Sequence, residues 1–123
     1  MTEPLIVLTT IGNAEHGRRI ARELVEARLA ACVTCFPGLV SVYRWSGRVE
    51  EDGEMLLLIK TNSDRIDALR SHLLRLHPYE VPEFLVVDVA EAGEAYLHWL
   101  NQSVSANGSG VQSVGAVHAG DGS

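Results

Sequence analysis

Leu39-Val40-Ser41-Val42-Tyr43-Arg44-Trp45 and, after a polar interval over residues 47–53, Met55-Leu56-Leu57-Leu58-Ile59-Lys60-Thr61 read as the two arms of one long β-hairpin. Both arms are rich in the aliphatic and aromatic residues that suit a pleated surface. Residues 31–36 form a strand leading into the first arm, and Pro37-Gly38 interrupts it as a bulge or kink would. Val40, Val42, Tyr43, Trp45 and residues 55–59 carry more apolar surface than two small helices can cover. Pairing with another copy caps such edges, so a closed cyclic oligomer is expected. The alternative is that Tyr43 and Trp45 fold over the core of their own subunit.

Working outward, residues 5–11 are an apolar run between Pro4 and Gly12-Asn13, which suits a buried central strand. Asn13 is a good cap for a helix over residues 14–29, where Gly17, Ile20, Ala21, Leu24 and Ala27 recur at steps of three and four. Its other face spaces Glu15–Arg19, Arg19–Glu23 and Arg22–Glu26 for pairing one turn apart. Asn62 or Ser63 is expected to cap a second helix with Ile66, Leu69, Leu73 and Leu76 at core spacing, and Pro78 stops it. A fourth strand is expected over residues 84–89 and a last helix over 94–104, with Tyr96, Trp99 and Leu100 on one side. The order β-α-β-β-α-β-α fits a split βαβ pair with two helices on one face of a four-stranded antiparallel sheet. One domain of 1–104 is expected, followed by a disordered Gly/Ser-rich tail over 105–123, which has no periodicity and little bulk to bury.

The 123 residues are 46% apolar and 21% charged, near globular averages. The net charge is −6, from sixteen acids against nine arginines and the single Lys60. Nucleic acid and anionic membrane surfaces therefore find no extended basic patch. No run of eighteen apolar residues suggests a membrane span, and the N-terminus has no basic region ahead of its apolar stretch, so a cytoplasmic location is expected. Glu50-Glu51-Asp52 and Glu54 read as a solvated hairpin turn or as a cation site.

Candidate chemistry is sparse. Cys32-Val33-Thr34-Cys35 has C-x-x-C spacing, but on a strand positions i and i+3 face opposite ways, so small core residues are the expected reading. None of the histidines (His16, His72, His77, His98, His118) forms a pair four apart on a helix. The segment His77-Pro78-Tyr79-Glu80-Val81-Pro82-Glu83 places an imidazole, a phenol and two carboxylates within seven residues. It reads either as a ligand loop for Cu(II), Zn(II) or another divalent ion, with His77, Glu80 and Glu83 as ligands, or as a rigid connection. Gly12-Asn13 at a helix start is weak support for anion binding. There is no nucleophile elbow, phosphate-binding loop or dinucleotide fingerprint, and no enzyme is expected.

Leu29-Ala30-Ala31-Cys32-Val33, Pro37-Gly38, Tyr43-x-Trp45-x-Gly47, Lys60-Thr61, His77-Pro78-Tyr79-x-x-Pro82-Glu83 and Tyr96-x-x-Trp99-Leu100 occur in this order. Together they resemble the CutA divalent-cation tolerance family over roughly residues 5–104. The resemblance implies an α+β, ferredoxin-like βαββαβ fold with an extra C-terminal helix. It also implies a homotrimer joined through the hairpin arms, with Tyr43, Trp45, Met55, Leu57 and Trp99 as expected interface residues. It further implies a link to copper and other divalent ions, with no cofactor required, and a likeness to PII-type signalling trimers that take a small ligand between subunits. Copper binding in that family is attributed to cysteine and histidine positions; Cys32 and His77 match. This chain has Thr9 or Thr10 where some relatives have a first-strand cysteine, and Leu76 before His77 where some have a second histidine, so weak binding is expected.

Overall fold

Alternate residues of β1 (Pro4–Ile11), namely Leu5, Val7, Thr9 and Ile11, are buried, and so are Met55, Leu57, Ile59 and Thr61 of β3 (Arg48–Asn62). A period of two puts these side chains on one face of a sheet. In the computed structural model, which describes residues 2–106, that sheet has the order β2-β3-β1-β4 with every neighbouring pair antiparallel. The edge strands are β2 (Cys32–Trp45) and β4 (Leu85–Asp88). Helices α1 (Ala14–Glu26) and α2 (Ile66–Leu76) cover the buried face with Ile20, Leu24, Leu69 and Leu73. Gly17 lets α1 close on the sheet: a Cβ there would stand 2.7 Å from Met55 Sδ and 2.9 Å from Ile11 Cγ2. This is the expected ferredoxin-like α+β arrangement.

The opposite face carries Ile6, Leu8, Phe36, Leu56, Leu58, Leu85 and Val87, as the pairings Ile6↔Val87, Leu8↔Leu85 and Phe36↔Leu56 require. Helix α3 (Glu94–Ser103) covers one end of it, packing Trp99, Leu100 and Tyr96 on Ala31 and Cys32, with Lys60 over the Tyr96 ring. Farther along, Phe36, Leu85 and Val87 are 41%, 54% and 42% exposed. An apolar sheet face this open is unusual for a lone subunit.

The hairpin differs from its expected form in where it turns. The chain reverses in two residues, Ser46 and Gly47, both in the left-handed region (φ 51° and 78°), which matches the twist of the arms. Residues 48–54 are therefore strand, with Tyr43↔Glu50, Ser41↔Asp52 and Leu39↔Glu54 paired. Their polarity suggested a turn because ladder bonds use only the backbone and are indifferent to side chains that face water. The interruption at Pro37-Gly38 is a bulge, seen as a register shift between Phe36 and Leu39.

Two helix boundaries also move. α1 stops at Glu26, and Arg28 at φ 59° ends it, so Ala27 is exposed and not part of the apolar stripe. Glu23 reaches His72 Nε2 of α2 at 2.8 Å, where an intrahelical partner was expected. Arg65, with no side-chain cap bond, precedes α2; Asn62 instead accepts from the Asp64 amide and donates to Asn101 of α3. Of the expected interface residues, Met55 and Leu57 are buried in the core at 2% and 1% exposure, and Trp99 is on the buried side of α3, packed on Ala31. They stand at inward positions of the sheet and helix. The expected tail lies outside the described residues except for Ser105 and Ala106.

Candidate functional site

The bulge sets the site. Below it, even-numbered residues of β2 pair with even-numbered residues of β3; above it, odd-numbered residues of β2 take that place. A single extra residue thus turns Ser41, Tyr43 and Trp45 to the face that holds Glu50, Asp52 and Glu54. Ser41, Tyr43, Trp45, Asp52 and Glu54, with Thr10 and Gly12 at the end of β1 and Tyr79, Glu80, Val81 and Glu83 of the loop, line a groove of about 790 Å³.

Two phenols clamp its acids. Tyr43 Oη donates to Asp52 Oδ2, and Tyr79 Oη donates to Glu54 Oε2 at 2.5 Å, joining the α2–β4 loop to the hairpin. The bond to Asp52, with burial and the nearby Glu50 and Glu54 charges, pushes the Tyr43 phenol up to about 12. Burial, and then the Glu54 bond, raises Tyr79 still more. Glu83 is also raised, first by burial and then by repulsion from Glu54. Ultraviolet titration should show Tyr43 ionising near pH 12. Asp52→Asn should return it toward the ordinary value of about 10. An unchanged midpoint in that variant would mean the carboxylate does not hold the phenol.

The expected metal ligands do not converge in one subunit. His77 is buried, its Nε2 bonded to the Thr10 carbonyl at 2.7 Å and its Nδ1 accepting from the Tyr79 amide at 3.1 Å. That fixes a neutral ring protonated at Nε2, with neither nitrogen free for an ion. Burial lowers its pKa, opposed by the Thr10 bond. Cys32 packs under α3 while Cys35 packs on the helix-facing core, so the two thiols, both free, lie on opposite faces as expected. Burial raises the Cys35 thiol. Among the described residues no three of His, Cys, Asp and Glu stand close enough to hold a metal. Within one chain these donors do not form a closed site for a tightly held metal.

Gly12 serves the groove differently from an anion site: a Cβ there would come within 3.1 Å of Tyr79 Oη, so glycine admits the phenol. Asn13 accepts from the His16 amide and caps α1 as expected. The sequence reading missed Tyr43–Asp52 and Tyr79–Glu54 as pairs. The acidic run and the Tyr79 loop were visible separately, and nothing local joins residues 25 apart.

A ferredoxin-like domain with an open apolar sheet face and an acidic, aromatic groove beside a long hairpin is the class this geometry defines. The chain belongs to the CutA1 divalent ion tolerance protein family, whose model matches residues 5–103. It is 48% identical over 98 residues to the divalent-cation tolerance protein CutA of Thermus thermophilus, covering 80% of this chain and 95% of that one. A chloroplastic protein CutA of Arabidopsis thaliana is 39% identical over 80% of this chain, which spans 54% of that relative's length. The crystal structure of CutA from Xylella fastidiosa superposes with a TM-score of 0.81 at 41% identity, covering 84% of this chain and 99% of that one. Among the described residues no helix is long and apolar enough to cross a membrane.

Proposed function

We propose that the protein is a non-enzymatic, cytoplasmic homotrimer of divalent-cation tolerance that binds copper or another divalent ion weakly at the His77, Glu80 and Glu83 loop. The observation that carries the cation half is the lining of the groove, whose ionisable acids Asp52, Glu54, Glu80 and Glu83 face no Lys or Arg among the described residues that line it. Weakness follows from the ring: an ion taken by His77 Nδ1 displaces the Tyr79 amide. Cys32 enters such a site only from a neighbouring copy. The exposed Phe36, Leu85 and Val87 favour assembly, and three is the number the family resemblance implies.

Light scattering tests the assembly: Val87→Asp should lower the particle mass to that of one chain, and an unchanged mass sinks this face as the contact. Calorimetric titration with Cu(II) and Zn(II) tests the ion. Glu80→Gln with Glu83→Gln should weaken binding roughly tenfold, equivalent to about 1.4 kcal/mol. An isotherm unchanged both there and in His77→Ala rejects the site.

A second reading, a PII-like trimer with a small ligand in clefts between subunits, is favoured by the groove volume, which is in the range of small-molecule sites.

A further inference from the structure

We propose that the projecting hairpin ribbons of neighbouring copies stack face to back, the valine face of one lying on the aromatic, acidic face of the next. The inference rests on the reading above that the chain assembles, and it says how the copies meet at the groove.

The ribbon needs a partner. β1 ends at Ile11, paired with Met55, and β4 pairs only with residues 5–8 of β1. From Leu39↔Glu54 to Trp45↔Arg48 the two arms have no third strand of the described residues beside them. A two-stranded ribbon by itself is marginally stable in water. Its own chain reaches it through the Tyr79 loop, on the groove face.

Both faces of the ribbon are apolar, and they differ in charge. Alternation above the bulge puts Val40, Val42, Arg44, Val49 and Glu51 on one face, opposite the groove. The three valines are 65%, 63% and 65% exposed. Arg44 and Glu51 offset one another there. The groove face carries Tyr43 and Trp45, with Glu50, Asp52 and Glu54 against Arg48 alone, which pairs with Glu50 at 3.7 Å.

That asymmetry selects the contact. Two copies joined valine to valine leave both aromatic faces bare. Two copies joined by their aromatic faces set acids against acids, and such like-charge contacts are costly. Unlike faces in contact cover both, and a heterologous contact of this kind closes as a ring. Arg44 of each copy then supplies the basic group that the lining of the next groove lacks. The open sheet face favours the same neighbour. Glu54 and Leu56 stand on one side of β3, so the groove face continues into Phe36, Leu85 and Val87.

The test is light scattering of the full chain over a dilution series, with a short bismaleimide to link introduced cysteines. The parent should hold a mass of several chains. Val42→Asp and Arg44→Glu, both at exposed positions, should raise the concentration of half-dissociation at least tenfold. Leu74→Asp, exposed on α2, should leave it unchanged. Val42→Cys and Trp45→Cys chains expressed together should give linked pairs at least tenfold above the parent's background from Cys32 and Cys35. Either variant by itself should stay at that background. Linking as strong in one variant alone as in the mixture would mean that like faces meet, and overturns the stacking. An assembled parent whose mass survives both Val42→Asp and Arg44→Glu also overturns it, while assembly through Phe36, Leu85 and Val87 stands. A parent of single-chain mass at every dilution overturns both readings.

Discussion

Leu57→Ala is expected to cost roughly 2–5 kcal/mol of stability, the range for emptying a leucine site in a packed core. For a domain of this size each kcal/mol lowers the melting temperature by about 4–8 °C. Leu57 is 1% exposed and sits between Thr9 of β1 and Cys35 of β2 in the sheet, under α1 and α2. The size of the loss depends on how far α1 and α2 can settle into the void, and Gly17 already brings α1 as close as its neighbours allow. Urea and thermal unfolding followed by circular dichroism measure it. Whatever fraction remains folded should keep the parent's particle mass. A variant that unfolds like the parent but falls apart into single chains would instead make Leu57 an interface residue, against its inward placement.

His77→Ala should be nearly as damaging, at roughly 2–5 kcal/mol, because it removes two bonds at once. The Thr10 carbonyl and the Tyr79 amide both lose their partner, and each buried orphan costs about 1–3 kcal/mol. The loop would also lose its anchor to β1, so the Tyr79–Glu54 clamp should loosen. The same residue sets an acid limit. Its folded pKa lies below the unfolded value of about 6.5, because burial disfavours the charged ring. In that window the unfolded chain binds more protons, so the contribution of His77 is complete above about pH 6.5. It is lost as the pH falls toward the folded pKa. Urea midpoints measured from neutral pH downward should show this slope, and His77→Gln should flatten it. An identical slope in His77→Gln would assign the acid sensitivity to other groups.

How much of this was legible varies with the range of the interaction. Steps of three and four in α1 and α2 gave the core-facing Ile20, Leu24, Leu69 and Leu73, because helix geometry alone fixes which residues share a face. The C-x-x-C reading succeeded for the same reason, since strand alternation is local. Residues 48–54 were misplaced in a turn because register belongs to a pair of strands, and one strand's polarity does not reveal its partner. The sequence leaves His77 open between a ligand and a rigid connection because its partner is Thr10, 67 residues away.

The sequence by itself determined the order of elements, the helix-facing core and the presence of a bulge at Pro37-Gly38, all consequences of periodicity and local backbone preference. Only the tertiary structure decided what the bulge does. It reverses which side chains of β2 share a face with β3, and so brings Tyr43 and Trp45 to Asp52 and Glu54. The Tyr79 loop then closes the groove through one hydrogen bond to Glu54. These contacts depend on strand register and on the docking of a distant loop, and the chain acquires both only when the sheet has formed.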